Sequence, residues 1–398
     1  MFWSRRYKLT IAIIVGTRPE IIKMSPVIRA CADSGLAYLV VDTGQHYDHN
    51  MNAIFFKELD LPRPDYQLGV GSGPQGQQTG RLLMAIEEIL QDNRPDIVLV
   101  QGDTNTVLAG ALAAAKLHIP VGHVEAGLRS FDRNMPEEIN RVLADHVSDL
   151  LFAPTVGPTE NLLREGIEKN KIFITGNTIV DAVRQGLEIA RHKSTILKRL
   201  GLAPGDYILL TAHRAENVDN RQRLSDLLST LEVVYRATNL PIVYPIHPRT
   251  ALRMSEFGLR LPTSIRVVEP LGFLDFVRLE ADARLVLTDS GGVQEESCIL
   301  CVPCVTLRDN TERPETVKVG ANVVAGVRPE TVLTGVAAML KATGDWRNPF
   351  GDGQSGARIV KIVAAFLHGG VESEPAREIA IRLIGGRSYE KRLQSPIA

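Results

Sequence analysis

Short apolar runs recur along the chain, separated by longer stretches in which apolar and polar residues mix. Leu9–Val15, Tyr38–Thr43, Ile97–Val100 and Ile119–Val124 have the length and branching of strands buried in a parallel sheet. Between the last two, the small-residue stretch Val107–Leu117 reads as a helix, so the segment is a βαβ unit. Leu150–Ala153 and Lys171–Thr175 supply further strands, and Gly176-Asn177-Thr178 starts a helix reaching about Leu200. A second series follows at Tyr207–Leu210, Ile242–Ile246, Ile265–Val268, Arg284–Thr288 and Pro303–Leu307. Asn348–Gly353 breaks the pattern, and the helix Ser355–Leu367 is expected to cross back to the first series. This predicts an α/β protein of two doubly wound domains facing each other across a cleft. The expected bounds are 1–179, joined by the crossing helix 354–368, then 180–353, with 369–398 a tail appendage.

Composition adds exclusions. The 398 residues are 44% hydrophobic and 23% charged, ordinary for a globular chain long enough for two or three domains. A formal net charge of −1 gives no field to draw nucleic acid or an anionic membrane, so neither is expected as a partner. No apolar run approaches the roughly 18 residues of a membrane span. The basic start MFWSRRYK lacks the apolar core of a signal peptide, so a cytoplasmic location is expected. Cys298, Cys301 and Cys304 match iron–sulfur spacing by letter. Ile299, Leu300, Val302 and Val305 make that run hydrophobic, and free cysteine packs as a small hydrophobe, so no metal is expected and the protein should be colourless. His46 and His49 have the spacing of a metal pair but no third ligand pattern.

Three carboxylates stand out around the βαβ unit. Asp103 follows its first strand, Glu125 closes its second, and Glu137 opens the next helix after Pro136. Ligands of open α/β sheets sit at the carboxyl ends of the strands, so the three are expected to converge where an acid and a base could move a proton. Asp103 and Glu137 also read as helix-start residues. Glu125 has no such explanation. Arg18 lies in the Gly16–Glu20 turn and Lys23 in the helix after it, where basic groups and free N–H groups suit a phosphate. In the second series, Ser290-Gly291-Gly292 starts a helix carrying Glu296, with Arg308 and Arg313 in the next loop. That combination suits a nucleotide: backbone N–H groups and arginines for the diphosphate, Glu296 for ribose hydroxyls. His213 and His247 each end a strand and are expected to point into the cleft. Gly71–Gly76 matches G-x-G-x-x-G by letter, but no buried strand precedes it, so it reads as a loop.

With these residues assembled, the chain resembles the non-hydrolysing UDP-N-acetylglucosamine 2-epimerases from about Leu9 to Leu367. The ordered motifs include GTRPE, TGQH, QGDT, GHVEAGLRS, MPEEINR, FITGNT, AHR, TDSGGVQEE and TERPE. The resemblance implies a GT-B architecture of two Rossmann-like domains and a homodimer. It also implies interconversion of UDP-N-acetylglucosamine and UDP-N-acetylmannosamine, without any cofactor, through elimination of UDP to 2-acetamidoglucal and re-addition. The product would supply surface polysaccharide synthesis. On that resemblance Asp103, Glu125, Glu137 and His213 are the catalytic residues. Arg18, Lys23, Ser290, Gly291, Gly292, Glu296 and Arg313 contact the nucleotide, and Phe276 packs near the uracil. Leu271 stands where bacterial members often carry glutamine, which leaves a main-chain contact there. Bacterial members bind a second UDP-N-acetylglucosamine as activator, and Gln45, His46, Arg81, Arg214 and His247 are the residues that could hold it here.

The nearest rival is a UDP-2,3-diacetamido-2,3-dideoxy-glucuronate 2-epimerase, whose group shares TGQHYD and GDTNTVLAGALAAAKL but tends to alter GTRPE and TERPE. A GT-B glycosyltransferase would not explain the Glu125 and Glu137 motifs. A hydrolysing epimerase would carry a kinase domain, and an NAD-dependent one a Tyr-x-x-x-Lys that is absent here. A sugar-nucleotide sensor would not need the acid/base set.

Overall fold

The computed structural model describes residues 9–45 and 49–369. His46 and the tail past 369 therefore lie outside the described residues. Two compact units emerge. One comprises the described residues up to Ala182 together with those from Phe350 on; the other is Val183–Pro349.

The first unit is built on seven parallel strands: β1 (Thr10–Val15), β2 (Ala37–Asp42), β3 (Tyr66–Gln67), β4 (Ile97–Gln101), β5 (Val121–Val124), β6 (Leu150–Ala153) and β7 (Ile172–Ile174). Their order is β3-β2-β1-β4-β5-β6-β7. Ile11 to Val15 are wholly buried, which explains why this run is apolar at every position and not alternating. The helix Asn105–Lys116 lies close to the sheet because its buried residues from Ala109 on are all alanine or glycine. A Cβ on Gly110 would come within 3.1 Å of the Ile14 and Val100 side chains. The helix Ser355–Leu367 packs on the helix Arg18–Asp33, with Gly356 against the Pro26 backbone. The Gly356 N–H donates to Asp181 Oδ1 at 2.9 Å.

The second unit has six parallel strands: β8 (Ile208–Thr211), β9 (Ile242–Pro245), β10 (Ile265–Val268), β11 (Leu285–Thr288), β12 (Cys304–Thr306) and β13 (Asn322–Val324). Their order is β10-β9-β8-β11-β12-β13. Both sheets are doubly wound, as the apolar pattern predicts. Strand order reverses between β1 and β4 in one unit and between β8 and β11 in the other. The crevice at the carboxyl ends of such a pair is where open α/β sheets bind ligands.

Three local expectations change. The helix expected to reach Leu200 is two helices, Thr178–Lys193 and Ile196–Leu200. Ser194 interrupts it: its Oγ accepts the Ile196 N–H at 3.2 Å and donates to Asp275 at 2.5 Å, a local alternative to helical bonding. The edge strands β3 and β13 escape the apolar pattern because they are short and, unlike the inner strands, largely unburied. Cys31, Cys298 and Cys304 are buried, whereas Cys301 is exposed. Among the described residues no helix is long and apolar enough to cross a membrane.

Candidate active site

At the carboxyl ends of β1, β4 and β5 lies a pocket lined by Glu20, Lys23, Gln101, Asp103, Glu125 and Arg141, with Thr17, Thr104 and Leu128. Two of the three expected carboxylates therefore share it. Glu125 directly follows β5 with φ of 70°, a left-handed backbone that costs a side-chain-bearing residue about 1–3 kcal/mol. Its side chain is only 7% exposed. Lys23 Nζ donates to both its oxygens, at 2.8 and 2.6 Å, and Gln101 Nε2 donates to Oε2. A strained, buried acid persists only where its surroundings over-determine it, and such positions cluster at active sites.

Asp103 is not the cap of the following helix. Thr104 is, its Oγ1 accepting the Val107 N–H at 3.4 Å. The Asp103 carboxylate is instead free to pair with Arg141, and Asn140 Nδ2 holds its carbonyl at 2.9 Å. Glu137 departs from the expected convergence. It is exposed on the first turn of the helix Pro136–Val147 and does not line the pocket. Its neighbour Glu138 faces inward, one residue further round the helix. Glu138 accepts from the Ser130 N–H at 2.8 Å and the Phe131 N–H at 3.0 Å, and pairs with Arg141 at 2.8 Å. Burial pushes the Glu138 carboxyl up, but these hydrogen bonds prevail and hold it below its ordinary range.

The expected phosphate site at the Gly16–Glu20 turn needs a larger correction. Its N–H groups are not free: Gly16 and Thr17 donate to Glu20 Oε2 at 2.6 and 3.2 Å. Thr104 Oγ1 donates to Glu20 Oε1 at 2.6 Å. Burial pushes the Glu20 carboxyl up to about 7 in spite of those hydrogen bonds. Arg18 is exposed and lies over the Phe55 ring, 5.2 Å from its centroid, while Lys23 serves Glu125. The residue legible only in part from sequence is thus Glu20; Thr17-x-x-Glu20 is a capping box, and the structure forms it.

His123, mid-strand in β5, is the other residue the sequence reading passed over. Its Nδ1 meets Asp145 Oδ1 at 2.7 Å and its Nε2 meets the Gly102 carbonyl at 2.8 Å. Burial would lower its pKa, but the Asp145 charge and these acceptors raise it. Asp145 also takes the Gly127 N–H at 3.1 Å and Arg129 at 2.7 Å, so His123 and Arg129 clamp the loop that follows Glu125.

In the second unit, Asp289 directly follows β11 and is fully buried. It accepts from the N–H groups of His213 and Arg214 at 3.0 and 2.9 Å, tying the loop after β8 to the turn after β11. Ser290 caps the helix Gly291–Ile299 by accepting the Val293 N–H at 3.5 Å. A Cβ on Gly291 or Gly292 would meet only side-chain ends, 3.7–3.9 Å away, so the fold itself does not demand glycine there. Arg313 pairs with Glu295 at 2.8 Å, and Arg308 pairs with Glu216 at 2.6 Å. His213 stacks on His247 with ring centroids 5.2 Å apart. Burial, with the neighbouring Arg214 and Arg249 charges, lowers the His213 pKa against the pull of Asp289. Glu296 is half-buried in that helix; Leu271 and Phe276 pack on a core cluster of this unit.

The residues that could hold an activator are distributed as follows. Gln45 is buried, its Oε1 accepting from Thr106 N–H and Oγ1 at 2.9 and 2.8 Å, so it braces the first unit. Arg81 is exposed and folds back toward the Ser72 carbonyl. Arg214 pairs with Glu312 at 3.7 Å, and His247 caps the helix Pro248–Phe257.

A family model described as UDP-N-acetylglucosamine 2-epimerase matches residues 29–364. A UDP-N-acetylglucosamine 2-epimerase of Methanocaldococcus jannaschii is 55% identical over 361 residues, covering 89% of this chain and 99% of that one. A crystal structure of the M. jannaschii UDP-GlcNAc 2-epimerase in complex with UDP-GlcNAc and UDP aligns at 55% identity with a TM-score of 0.79, over 89% of this chain and 99% of that one. The UDP-2,3-diacetamido-2,3-dideoxy-D-glucuronate 2-epimerase of Pseudomonas aeruginosa is 44% identical over 361 residues, again covering 89% and 99%.

Proposed function

The chain belongs to the UDP-N-acetylglucosamine 2-epimerase family, and on that premise we propose that it interconverts UDP-N-acetylglucosamine and UDP-N-acetylmannosamine. A base takes the sugar's C2 proton while the C1–O bond to UDP breaks, leaving 2-acetamidoglucal and UDP. UDP then re-forms the C1–O bond as a proton is delivered to C2 from the other face. The observation that supports this best is the pocket shared by Asp103 and Glu125, each carboxylate fixed by a cation. These two are the assigned acid/base pair; Glu137, outside the pocket, is the weaker candidate. The diphosphate is assigned to the start of the helix Gly291–Ile299, where glycines let it approach the N–H groups closely, with His213 and Arg313 as side-chain partners. Glu296 takes ribose hydroxyls, and Phe276 with the Leu271 main chain takes the uracil.

Incubation with UDP-N-acetylglucosamine in deuterated water, without added cofactor, tests the reading. Deuterium should appear at C2 of both epimers; its absence from recovered substrate and product would end it. The diacetamido-glucuronate substrate is disfavoured because GTRPE and TERPE are both intact here, and parallel assays of both sugars separate the two. A homodimer is supported by Phe131, Met135, Ile139 and Leu143, exposed apolar residues four apart on and before the helix Pro136–Val147. Light scattering should give twice the chain mass, reduced by Ile139→Asp.

A further inference from the structure

Glu280, on the helix Phe273–Ala281, is completely buried. An ionised carboxylate in such a place needs a cation or a full set of donors. Glu280 has neither. Ser297 Oγ lies 2.8 Å from its Oε1, but the same hydroxyl lies 2.8 Å from the Val293 carbonyl, and its single hydrogen serves one acceptor fully. Glu280 Oε2 is buried and meets no donor other than the neighbouring Glu296 carboxyl. The acid facing it from the helix Gly291–Ile299 is Glu296. The other titratable groups that feel it are Tyr207, just before β8, and Cys304 on β12, and burial keeps both neutral. Among the described residues no lysine, arginine or histidine pairs with it. Two carboxylates that meet in a dry site do not both ionise. Burial first, and then the charge of Glu296, push the Glu280 carboxyl well above its ordinary range.

We propose that Glu280 is a positioning residue that keeps the proton of the pair at neutral pH, so that Glu296 is its ionised member, held in place to accept the ribose hydroxyls of UDP. This rests on assigning the Gly291–Ile299 helix start to UDP. A neutral Glu280 spares the site a second negative charge beside an anionic ligand. It also gives Glu296 a buried, polar neighbour that limits its rotamers.

Three variants and two readouts decide it. The infrared difference spectrum between wild type and Glu280→Gln at neutral pH should contain the carbonyl band of a protonated carboxyl; a carboxylate band alone overturns the inference. In UDP titrations by calorimetry, Glu280→Gln, neutral and of the same shape, should bind as wild type does. Glu280→Val should lose roughly tenfold in affinity, the scale of a hydrogen bond to a charged group. Loss of the same size in Glu280→Gln, or wild-type affinity in Glu280→Val, also overturns it. If Glu280→Val does not fold, the infrared band and the Gln variant still decide. Glu296→Gln separates the premise from the inference: wild-type UDP affinity in that variant removes the UDP assignment whatever the infrared band shows.

Discussion

The turn after β1 and the turn after β11 lead from a switch-point strand into a helix, and both carry the composition of an anion site. Their first three helical positions are Arg18-Pro19-Glu20 in one and Gly291-Gly292-Val293 in the other. Glu20 folds back onto the Gly16 and Thr17 N–H groups, so a carboxyl of the chain itself occupies the place of an anion. Val293 offers no such group, and Ser290 caps only the Val293 N–H. The acids near the second turn, Glu295 and Glu312, are bound to arginines instead. A helix N-terminus is therefore open to a ligand only where no side chain at its third position has taken the donors. The first unit becomes a site of paired carboxylates and cations, and the second is where the diphosphate is proposed to bind.

The sharpest way to break this division is Glu125→Gln. Turnover should fall roughly 10²–10⁴-fold, the range for lost acid–base catalysis, with UDP affinity by calorimetry unchanged. Near-normal turnover would return Glu125 to a structural role. Arg313→Ala should act on the other side of the division. Loss of a charge-assisted hydrogen bond predicts UDP binding weaker by roughly ten- to a hundredfold, with turnover at saturating substrate much less affected. Unchanged UDP affinity would remove Arg313 from the diphosphate site.

Glu20→Gln is read in stability, not in turnover or affinity, and sharpens the comparison through pH. The Glu20 carboxyl rises from 4.5 to about 7 in the folded chain, so the folded state holds this proton more tightly than the unfolded state. Its contribution to stability is then present at acidic pH and is lost as pH rises through that interval, by on the order of 3 kcal/mol. Melting curves of wild type and variant should agree at acidic pH, with the variant gaining relative stability toward neutral pH. Parallel curves across the interval would sink the assignment of that proton to Glu20.

Much of the carboxylate pocket could be anticipated from sequence. Glu125 stood out because no cap or surface pair explains an acid closing an apolar strand, and it proved strained, buried and paired with Lys23. Other signals are ambiguous at close spacing. Asp103 and Thr104 both suit a cap, and the chain uses Thr104. Glu137 and Glu138 differ by one residue, yet a helix turns about 100° per residue, so one faces solvent and the other braces the loop. His123 in mid-strand is a core histidine whose partner Asp145 lies on the following helix and gives no local signal.

By itself the sequence determined the class of fold and the places where strands end, because burial on both faces of a parallel strand writes a continuous apolar run within a few residues. Only the tertiary structure decided which polar groups meet. Lys23 and Glu125 are 102 residues apart, Glu20 and Thr104 are 84 apart, and Asp103 and Arg141 are 38 apart. Those pairings depend on strand order and helix rotation, which no local pattern encodes, and they set whether a charge is spent on the fold or left for a ligand.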